Sequence, residues 1–527
     1  MIGSFRQSMT WLHTWAGLVF CWVLYFMFVT GTLGYFDTEI DRWMQPEQPR
    51  AADVSTEQNL SVAVSYAEAE APDADRWFIG LPGGRNETQL RVFWQGPAPE
   101  DSDEETPNGN VELDAHTGEP LPESQRATGG GQLLYRMHYV FHYIDPQVGF
   151  RIAGIFTLFM FVGMITGIVV HKKIFKDFFT FRPAKGKRSW LDMHNLLSVS
   201  SLPFQLMITY SGLIFTVALW MPMIAFSSYG FNAEETQKAL GGFLDREVER
   251  SGEAAELVNF DVIVADATAA WGEGHVRGFD VRAPGDVNAE VFVNRSAGVN
   301  AIGESRRYDG VSGEYLETIG SPNAPISVAG VFVGLHEGLF AGPVLRWLYF
   351  FWGLLGAAMV ATGAIYWTAK RRRDVPDHEQ ARGFRFVECL NIGTIVGLPV
   401  AIAAYFLANR LLPLGFEGRA DWEVHTMFIA WAVCLLYPLL RPRVAAWREL
   451  SWAAAAACFA IPIVNAATTD AHLLNTVPAG DWVLASFDLA SFAFAITFAV
   501  LASRIGRTPR ASVSDVSAEP VGEVAIS

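Results

Sequence analysis

Six of the eleven histidines lie at the ends of long apolar segments, which places them at two levels of a predicted membrane bundle. The level rich in lysine and arginine holds His13, His171 and His194, and the opposite level holds His138, His142 and His336. An ionisable side chain within a bilayer is costly and marks a functional site. Because neutral imidazoles bind iron, and imidazoles from separate helices can hold a flat macrocycle, the pattern predicts two stacked haems that carry electrons across the membrane.

Each level offers three histidines, although a haem with two axial imidazoles uses two. His138 and His142 are four residues apart, so we expect them to share one helical face, with either of them opposing His336 across a haem. At the basic level, any two of the three histidines could be the ligands. The third histidine of each level could contact a substrate, a propionate or a proton, or it could serve a third haem.

Two arginines are candidates for neutralising haem propionates, because a guanidinium pairs bidentately with a carboxylate. Arg151 follows the outer histidines along the chain and Arg346 follows His336. Anchoring at the membrane interface is the alternative role for both. At the basic level, the residues that could neutralise propionates are Arg182, Lys185 and Arg188. Two glycine pairs allow helices or a haem plane to approach closely, namely Gly163 with Gly167 and Gly353 with Gly356.

The cysteines indicate the type of haem, and the remaining histidines are less strong candidates for the sites. The four cysteines lie in or beside apolar segments, and none belongs to a C-x-x-C-H attachment site, so any haem is expected to be the non-covalent b type. His425, at the start of an apolar segment, could join the outer site. The others are expected to be ordinary surface residues: His116, His275, His378 and His472.

A membrane scaffold must position these side chains. The chain has 527 residues, of which 51% are apolar, and this composition predicts a polytopic α-helical membrane protein with inserted soluble domains. A span needs ~20 residues. Eight segments reach about this length: 11–36, 149–171, 193–219, 344–369, 386–408, 424–440, 450–468 and 481–503.

Charge fixes the predicted topology. Lysines and arginines cluster in the loop 172–188 and after the fourth, sixth and eighth segments, all on one side under an even count. The positive-inside rule therefore predicts cytoplasmic termini and two periplasmic domains in a protein of the bacterial inner membrane. The first segment is too long for the apolar core of a signal peptide. No nucleic-acid partner is expected, because the basic clusters are short and flank apolar segments.

The two acidic inserts resemble one small α+β domain used twice. The first runs from a helical stretch at 60–72 through alternating strands to "VELDAHTGEPL", and the second runs from 262–271 to "RRYDGVSGEYL". In the shared D-x-x-[TS]-G-E turn, Asp114 or Asp309 can bind local backbone while Gly118 or Gly313 supplies a positive φ. These turns are expected to be structural, without chemistry of their own.

At these motifs the chain resembles the PepSY-associated transmembrane family, also called PiuB-like or iron-regulated membrane proteins. The resemblance covers about residues 5–370 and rests on "WLHTWAGLV", "GTLGYF", "LDAHTGEPL", "HKKIFKDFFTFRP", "SWLDMHN", "LPFQLMITYSGL" and "GLHEGLFAGPVLRWLYF". It implies a helical core with periplasmic PepSY domains, and some members are similar to di-haem ferric-siderophore reductases. Related chains often carry a histidine at the position of Gln205, and glutamine is not a strong haem ligand. The helices after about residue 386 lie outside the resemblance.

The predicted organisation follows from these segments. It comprises a first span (1–36), a PepSY-like domain (37–130), an outer helix with the second and third spans (131–219), a second PepSY-like domain (220–330), a fourth span (331–373), four additional spans (374–503) and a disordered cytoplasmic tail (504–527).

The predicted function is that of a b-type di-haem oxidoreductase. The chain has no G-x-G-x-x-G unit, P-loop or HExxH motif, so electrons must come from a partner protein or from quinol. The expected acceptor is an outer iron complex, for which the resemblance implies a ferric siderophore. Two alternatives remain: a non-enzymatic PepSY membrane protein that binds or regulates an envelope partner, and a transporter component for iron uptake whose outer histidines bind metal.

Overall fold

The computed structural model describes residues 4–49, 54–83, 88–97, 108–122, 124–171, 181–182, 185–217, 248–296, 298–301, 303–319 and 324–506. Within these ranges, eight helices are long and apolar enough to cross a membrane, and they match the eight predicted segments. The prediction of a polytopic helical membrane protein is therefore confirmed. Predictions for the loop at 172–180, for residues 218–247 and for the tail from 507 lie outside the described residues.

The first part of the chain holds four of the spanning helices and one sheet. In chain order its elements are α1 (Phe5–Gly34), α2 (Asp37–Met44), α3 (Thr56–Glu70), β1 (Arg76–Gly80), β2 (Leu90–Gln95), β3 (Asn108–Leu113), α4 (Gly130–Met137), α5 (Pro146–Val170), α6 (Lys187–Phe215), α7 (Phe260–Trp271), β4 (Val276–Arg282), β5 (Glu290–Arg295), β6 (Ser305–Asp309), β7 (Tyr315–Ile319), α8 (Ala324–Glu337) and α9 (Pro343–Arg371).

Helices α1, α5, α6 and α9 form the core bundle, in which α1 packs on both α5 and α9, and α6 packs on α9. We call the end where α1 and α6 end and α5 and α9 begin the domain face, and the other end the basic face. Proline at the first turn starts both α5 and α9, where its missing N–H costs nothing. In α5 the Asp145 carboxylate also accepts from the amides of Gln147 and Val148.

The two inserts form a single sheet. Its seven strands run in the order β3-β2-β1-β4-β5-β6-β7, and every neighbouring pair is antiparallel. The inserts meet at the centre, where β1 pairs with β4 and Ile79 lies opposite Phe279. Helices α3 and α7 cover the sheet through buried residues such as Leu60 and Ile263. The sequence predicted two similar domains, and the structure joins their strands in one continuous sheet.

Both D-x-x-[TS]-G-E turns have the predicted geometry. Asp114 accepts hydrogen bonds from the amides of His116 and Thr117, and Asp309 accepts from two equivalent amides. Gly118 and Gly313 have φ values of 74° and 75°. The prediction of a structural role for these turns therefore agrees with their hydrogen bonding.

The rest of the chain adds a second helical group. Its elements are α10 (Arg382–Ile395), α11 (Gly397–Leu411), α12 (Arg419–Leu440), α13 (Arg443–Thr468), α14 (Leu473–Thr476) and α15 (Trp482–Arg504). Helices α10 and α11 follow each other directly and together form one candidate span. This C-terminal group packs on α2 and on the chain around α4. Tyr405, for example, donates to the Gly130 carbonyl at 2.9 Å, and Arg419 donates to the Ala127 carbonyl at 2.7 Å.

One local prediction was wrong. His138 and His142 do not share a helical face, because α4 ends at Met137 and His138 is the residue after its last turn. The backbone then leaves helical geometry, with positive φ at Phe141 (47°) and Tyr143 (66°). The four-residue spacing therefore does not place the two side chains on one face of a helix.

Candidate functional site

At the domain face, the imidazoles of His138 and His336 face each other. Their ring centroids are 6.0 Å apart, with an angle of 44° between the ring planes. His138 is the residue after α4, and His336 lies in the last turn of α8. Neither histidine belongs to a spanning helix, so short helices bring both rings to the bundle from the side of the sheet.

A second pair lies toward the basic face. The rings of His13 on α1 and His194 on α6 have centroids 6.3 Å apart and an interplanar angle of 54°. His13 precedes Met27, whose carbonyl binds His138, by 14 residues on the same helix. At 1.5 Å per residue, the two pairs are about 20 Å apart along α1.

Similar contacts at Nδ1 hold all four imidazoles. For His13, His138 and His194, the ring Nδ1 binds a backbone carbonyl one helical turn before a glycine, and a threonine stands just before that glycine. For His336, Nδ1 binds the hydroxyl of the serine just before the glycine, with the equivalent carbonyl nearby. The sets of histidine, carbonyl, hydroxyl residue and glycine are His138 with Met27, Thr30 and Gly31; His13 with Gly163, Thr166 and Gly167; His336 with Ile208, Ser211 and Gly212; and His194 with Met359, Thr362 and Gly363.

The bond lengths agree across the sets. The Nδ1–carbonyl distances are 2.7 Å for His138 and 2.9 Å for both His13 and His194. His336 donates from Nδ1 to the Ser211 hydroxyl at 2.8 Å, with the Ile208 carbonyl also in reach. Each hydroxyl is buried and donates to carbonyls of the preceding turn of its own helix. A carbonyl accepts but cannot donate, so Nδ1 carries the proton in this arrangement.

The glycines provide the space for the rings. A Cβ added at Gly31 would lie 2.5 Å from His138 Nδ1, which no real side chain could tolerate. At Gly167 and Gly363 the added Cβ would lie 3.1 Å from Cε1 of His13 and of His194. At Gly212 the corresponding distance to His336 is 3.4 Å. Glycine therefore leaves the carbonyl open to an imidazole from a neighbouring helix.

The sets reveal an internal repeat of the whole core. His13 precedes Gly31 by 18 residues, and His194 precedes Gly212 by the same 18 residues. In each repeat a spanning helix, a sheet insert, a short helix with a histidine in or just after its last turn, and a second spanning helix follow in order. Each pair of imidazoles therefore joins equivalent residues of the two repeats, as in a two-fold arrangement.

The spacing suits one metal ion between each pair of rings. A metal–imidazole bond is about 2 Å long, so two rings bound on opposite sides of one ion have centroids roughly 6 Å apart. Since Nδ1 is occupied, Nε2 is the nitrogen available to a metal. An imidazole whose other nitrogen donates to a carbonyl is the usual form of a metal-binding histidine.

A cavity of about 330 Å³ surrounds the domain-face pair, within the ~300–1,000 Å³ range of cofactor sites. His138, His336 and Glu337 line it with mostly apolar neighbours. Burial, reinforced by the adjacent His138, lowers the pKa of His336 to about 3, and burial also lowers the pKa of His138. Both imidazoles are therefore neutral at physiological pH, which is the state that binds iron.

The other two predicted ligands lie outside the pairs. His142 packs beside Tyr143, with ring centroids 4.3 Å apart, and stacks on Phe428 of the C-terminal group. Tyr143 in turn bonds Nδ1 of His425 at 2.5 Å. His171 ends α5 at the basic face, near His194. The structure thus leaves His13, His138, His194 and His336 as the facing residues.

The predicted propionate partners have different surroundings. Arg346 forms an ion pair with Glu39 of α2, whereas Arg151 is exposed and lines a cleft at the domain face. Arg182 forms two bonds of 2.8 Å to Asp192. Gln205, the position that departs from the family pattern, is fully buried and donates to the Trp352 carbonyl at 2.9 Å. The roles of Arg151, Arg346 and Arg182 toward haem propionates stay predictions.

Sequence reasoning found the four histidines but missed what holds them. It singled out Gly167 as a point of close approach, but not Gly31, Gly212 or Gly363. The available signal was a single Thr-Gly or Ser-Gly step in each of the four core helices. None of the four C-terminal spans contains such a step.

Comparison with known proteins gives one match. A family model described as the PepSY-associated TM region matches residues 10–370, more than half of the chain. The match includes both histidine pairs and the four helices that hold them, and it ends in the last turn of α9. A search of curated proteins finds no match. The C-terminal group lies outside the matched region.

Proposed function

The chain belongs to the PepSY-associated TM family, and from this premise we propose that it is a membrane oxidoreductase with two haems b. The single observation that carries the proposal is the presence of two facing imidazole pairs at matched spacings of 6.0 and 6.3 Å. His138 and His336 would hold one haem, and His13 and His194 the other. Bound haems would supply one-electron redox chemistry at two depths of the membrane.

A haem suits these pairs better than a bare metal ion. A structural or catalytic zinc site uses three or four protein ligands. Within the described ranges no group of three or more His, Cys, Asp or Glu side chains is arranged to hold a metal ion. Two axial imidazoles are enough for iron in a porphyrin, because the macrocycle supplies the remaining ligands.

The residues of the chain orient and tune the ligands. Each backbone carbonyl fixes the tautomer and the plane of one ring, and it makes the imidazole a stronger donor to metal. Each buried hydroxyl shares that carbonyl and so limits its motion. The mostly apolar cavity walls favour an uncharged environment around the domain-face pair.

The positive-inside rule orients the proposed electron path. Arginines at the ends of α9, α12 and α15 mark the basic face as cytoplasmic under the positive-inside rule, so the sheet would face the periplasm. Electrons would enter from a partner protein or from quinol and would leave to an outer iron complex. The family resemblance supports a ferric siderophore as that complex.

Reconstituted vesicles test this function. Protein would be inserted with the sheet facing the lumen, which contains a ferric siderophore and a ferrous-iron indicator, and an impermeant reductant would be added outside. We expect ferrous iron to form inside, and we expect His336→Ala to abolish its formation while His142→Ala does not. Equal rates in vesicles without protein, or in the His336→Ala vesicles, would refute the proposal.

A further inference from the structure

Two arginines near the domain-face pair are exposed and form no ion pair with any described carboxylate. Eleven described arginines on the same side form ion pairs with carboxylates: Arg42, Arg76, Arg91, Arg126, Arg250, Arg282, Arg295, Arg306, Arg307, Arg346 and Arg419. Arg136, in the last turn of α4, and Arg151, in the second turn of α5, form none with any described residue. Both side chains are exposed.

These two arginines line the same cleft. It has a volume of about 440 Å³, and its walls are Arg136, Tyr139, Val140, Pro146, Gln147, Phe150 and Arg151. The exposure of Pro146 and Gln147 opens it to the surface. In a chain with a net charge of −16, two cations without carboxylate partners form a local positive site.

The cleft adjoins the cavity of the domain-face pair. Tyr139 and Phe150 line both spaces, so each of these residues borders the cleft and the histidine cavity. A molecule seated in the cleft would therefore lie about one aromatic side chain from that cavity. This is close enough for the cleft to serve as the place where an acceptor binds.

We propose that Arg136 and Arg151 form a binding site for an anionic iron chelate, one whose iron is surrounded by catecholate or carboxylate oxygens. Two guanidinium groups offer paired N–H donors to such oxygens and neutralise part of the charge. The inference rests on the proposed function and adds the substrate class to it. In the reaction, Fe(III) of the chelate gains one electron and becomes Fe(II), while the proposed donor is oxidised by one electron.

A redox-inactive probe tests binding apart from catalysis. The gallium(III) complex of an anionic tris-catecholate would be titrated into the purified full-length protein by calorimetry, beside the neutral gallium tris-hydroxamate. We expect the double variant R136Q/R151Q to bind the anionic complex about tenfold or more weakly. The matched control R373Q/R382Q removes the same charge at exposed positions of the basic face and should bind it as the unchanged protein does.

The haem propionates offer the same carboxylate chemistry, and the experiment separates the two sources. If R136Q/R151Q binds the gallium tris-catecholate normally but loses haem or shifts its potential, the arginines hold propionates and the inference is wrong. Equal weakening for the neutral complex, or no binding by the unchanged protein, would also overturn it. Binding without any haem in the protein would instead refute the proposed function and leave the anion site standing.

Discussion

The core bundle and the C-terminal group bury polar side chains in opposite ways. In the core, four imidazoles are tied through Nδ1 while their rings face each other in pairs. In the C-terminal group, the buried Arg419 and Glu423 pair with each other one turn apart, and Asp488 binds Trp43 and Asn465. In the C-terminal group the polar partners satisfy each other within and between helices, whereas in the core each imidazole is bonded at Nδ1 and its Nε2 is the nitrogen that a ligand could use.

The largest expected effect is the loss of one haem. Replacing His336 by Ala removes one imidazole of the domain-face pair, so one haem should disappear from the spectrum while the other remains. His142→Ala is the control, because His142 lies outside the pair, and it should keep both haems. Two intact haems in the His336→Ala protein would show that the pairing is misassigned.

The second prediction concerns the space beside the rings. Gly31→Leu should displace His138 and lose most of the same haem, because its Cβ would lie 2.5 Å from Nδ1. Gly17, on the same helix, has nothing within 4 Å of an added Cβ. Gly17→Leu should therefore retain both haems when haem content is measured, and equal losses in the two variants would argue against a specific role for Gly31.

A third variant should affect stability rather than haem content. Arg419→Met leaves Glu423 buried without its cation, which costs about 3–5 kcal/mol. Thermal unfolding in detergent should shift to lower temperature while haem content in the cold stays unchanged. The double variant R419M/E423L should recover most of the loss. A full loss of haem in the single variant would mean that this ion pair also controls the site.

The C-terminal group also gives a pH-dependent prediction through α2, on which it packs. Burial, opposed by the Gly131 amide and reinforced by Asp37, raises the pKa of Asp41 to about 6. The folded state then binds a proton that the unfolded chain has released. Stability should therefore fall by roughly 2–3 kcal/mol as pH rises from ~4 to ~6, and change little above that range. Asp41→Asn should flatten this profile of unfolding temperature, and an unchanged slope would contradict it.

The smallest expected effect tests the hydroxyls of the core. Ser211→Ala removes one hydrogen bond from His336, worth about 1 kcal/mol, and should weaken binding of that haem roughly fivefold. Ser201, on the same helix, is equally buried but bonds only the Leu197 carbonyl among the described residues. Haem titration of the apoprotein should find Ser201→Ala unchanged and Ser211→Thr close to normal.

Most of the architecture could be predicted from the sequence, because spanning helices need long apolar segments. The eight spans, the helix and strands of each insert, and the two D-x-x-[TS]-G-E turns depend on local sequence. The union of the inserts could not be predicted, because the pairing of β1 with β4 depends on contacts between segments about 200 residues apart. The sequence of an edge strand does not specify which distant strand will pair with it.

The site was predicted by residue type and only partly by pairing. The apolar flanking segments identified the six histidines. The four-residue spacing of His138 and His142 suggested a shared helical face, but the helix ends at Met137, before both residues. Choosing His13 and His194 over His171 required the tertiary structure. The repeated Thr-Gly and Ser-Gly steps were visible in the sequence, and their meaning depends on which ring each glycine faces.

A reduced-minus-oxidised spectrum of the purified protein, with haem quantified as its pyridine complex, tests the central claim most directly. We expect about two b-type haems per chain, one for each imidazole pair. A protein without haem, after expression with ample iron and haem precursor, would contradict it and would assign the four imidazoles to another ligand or to structure.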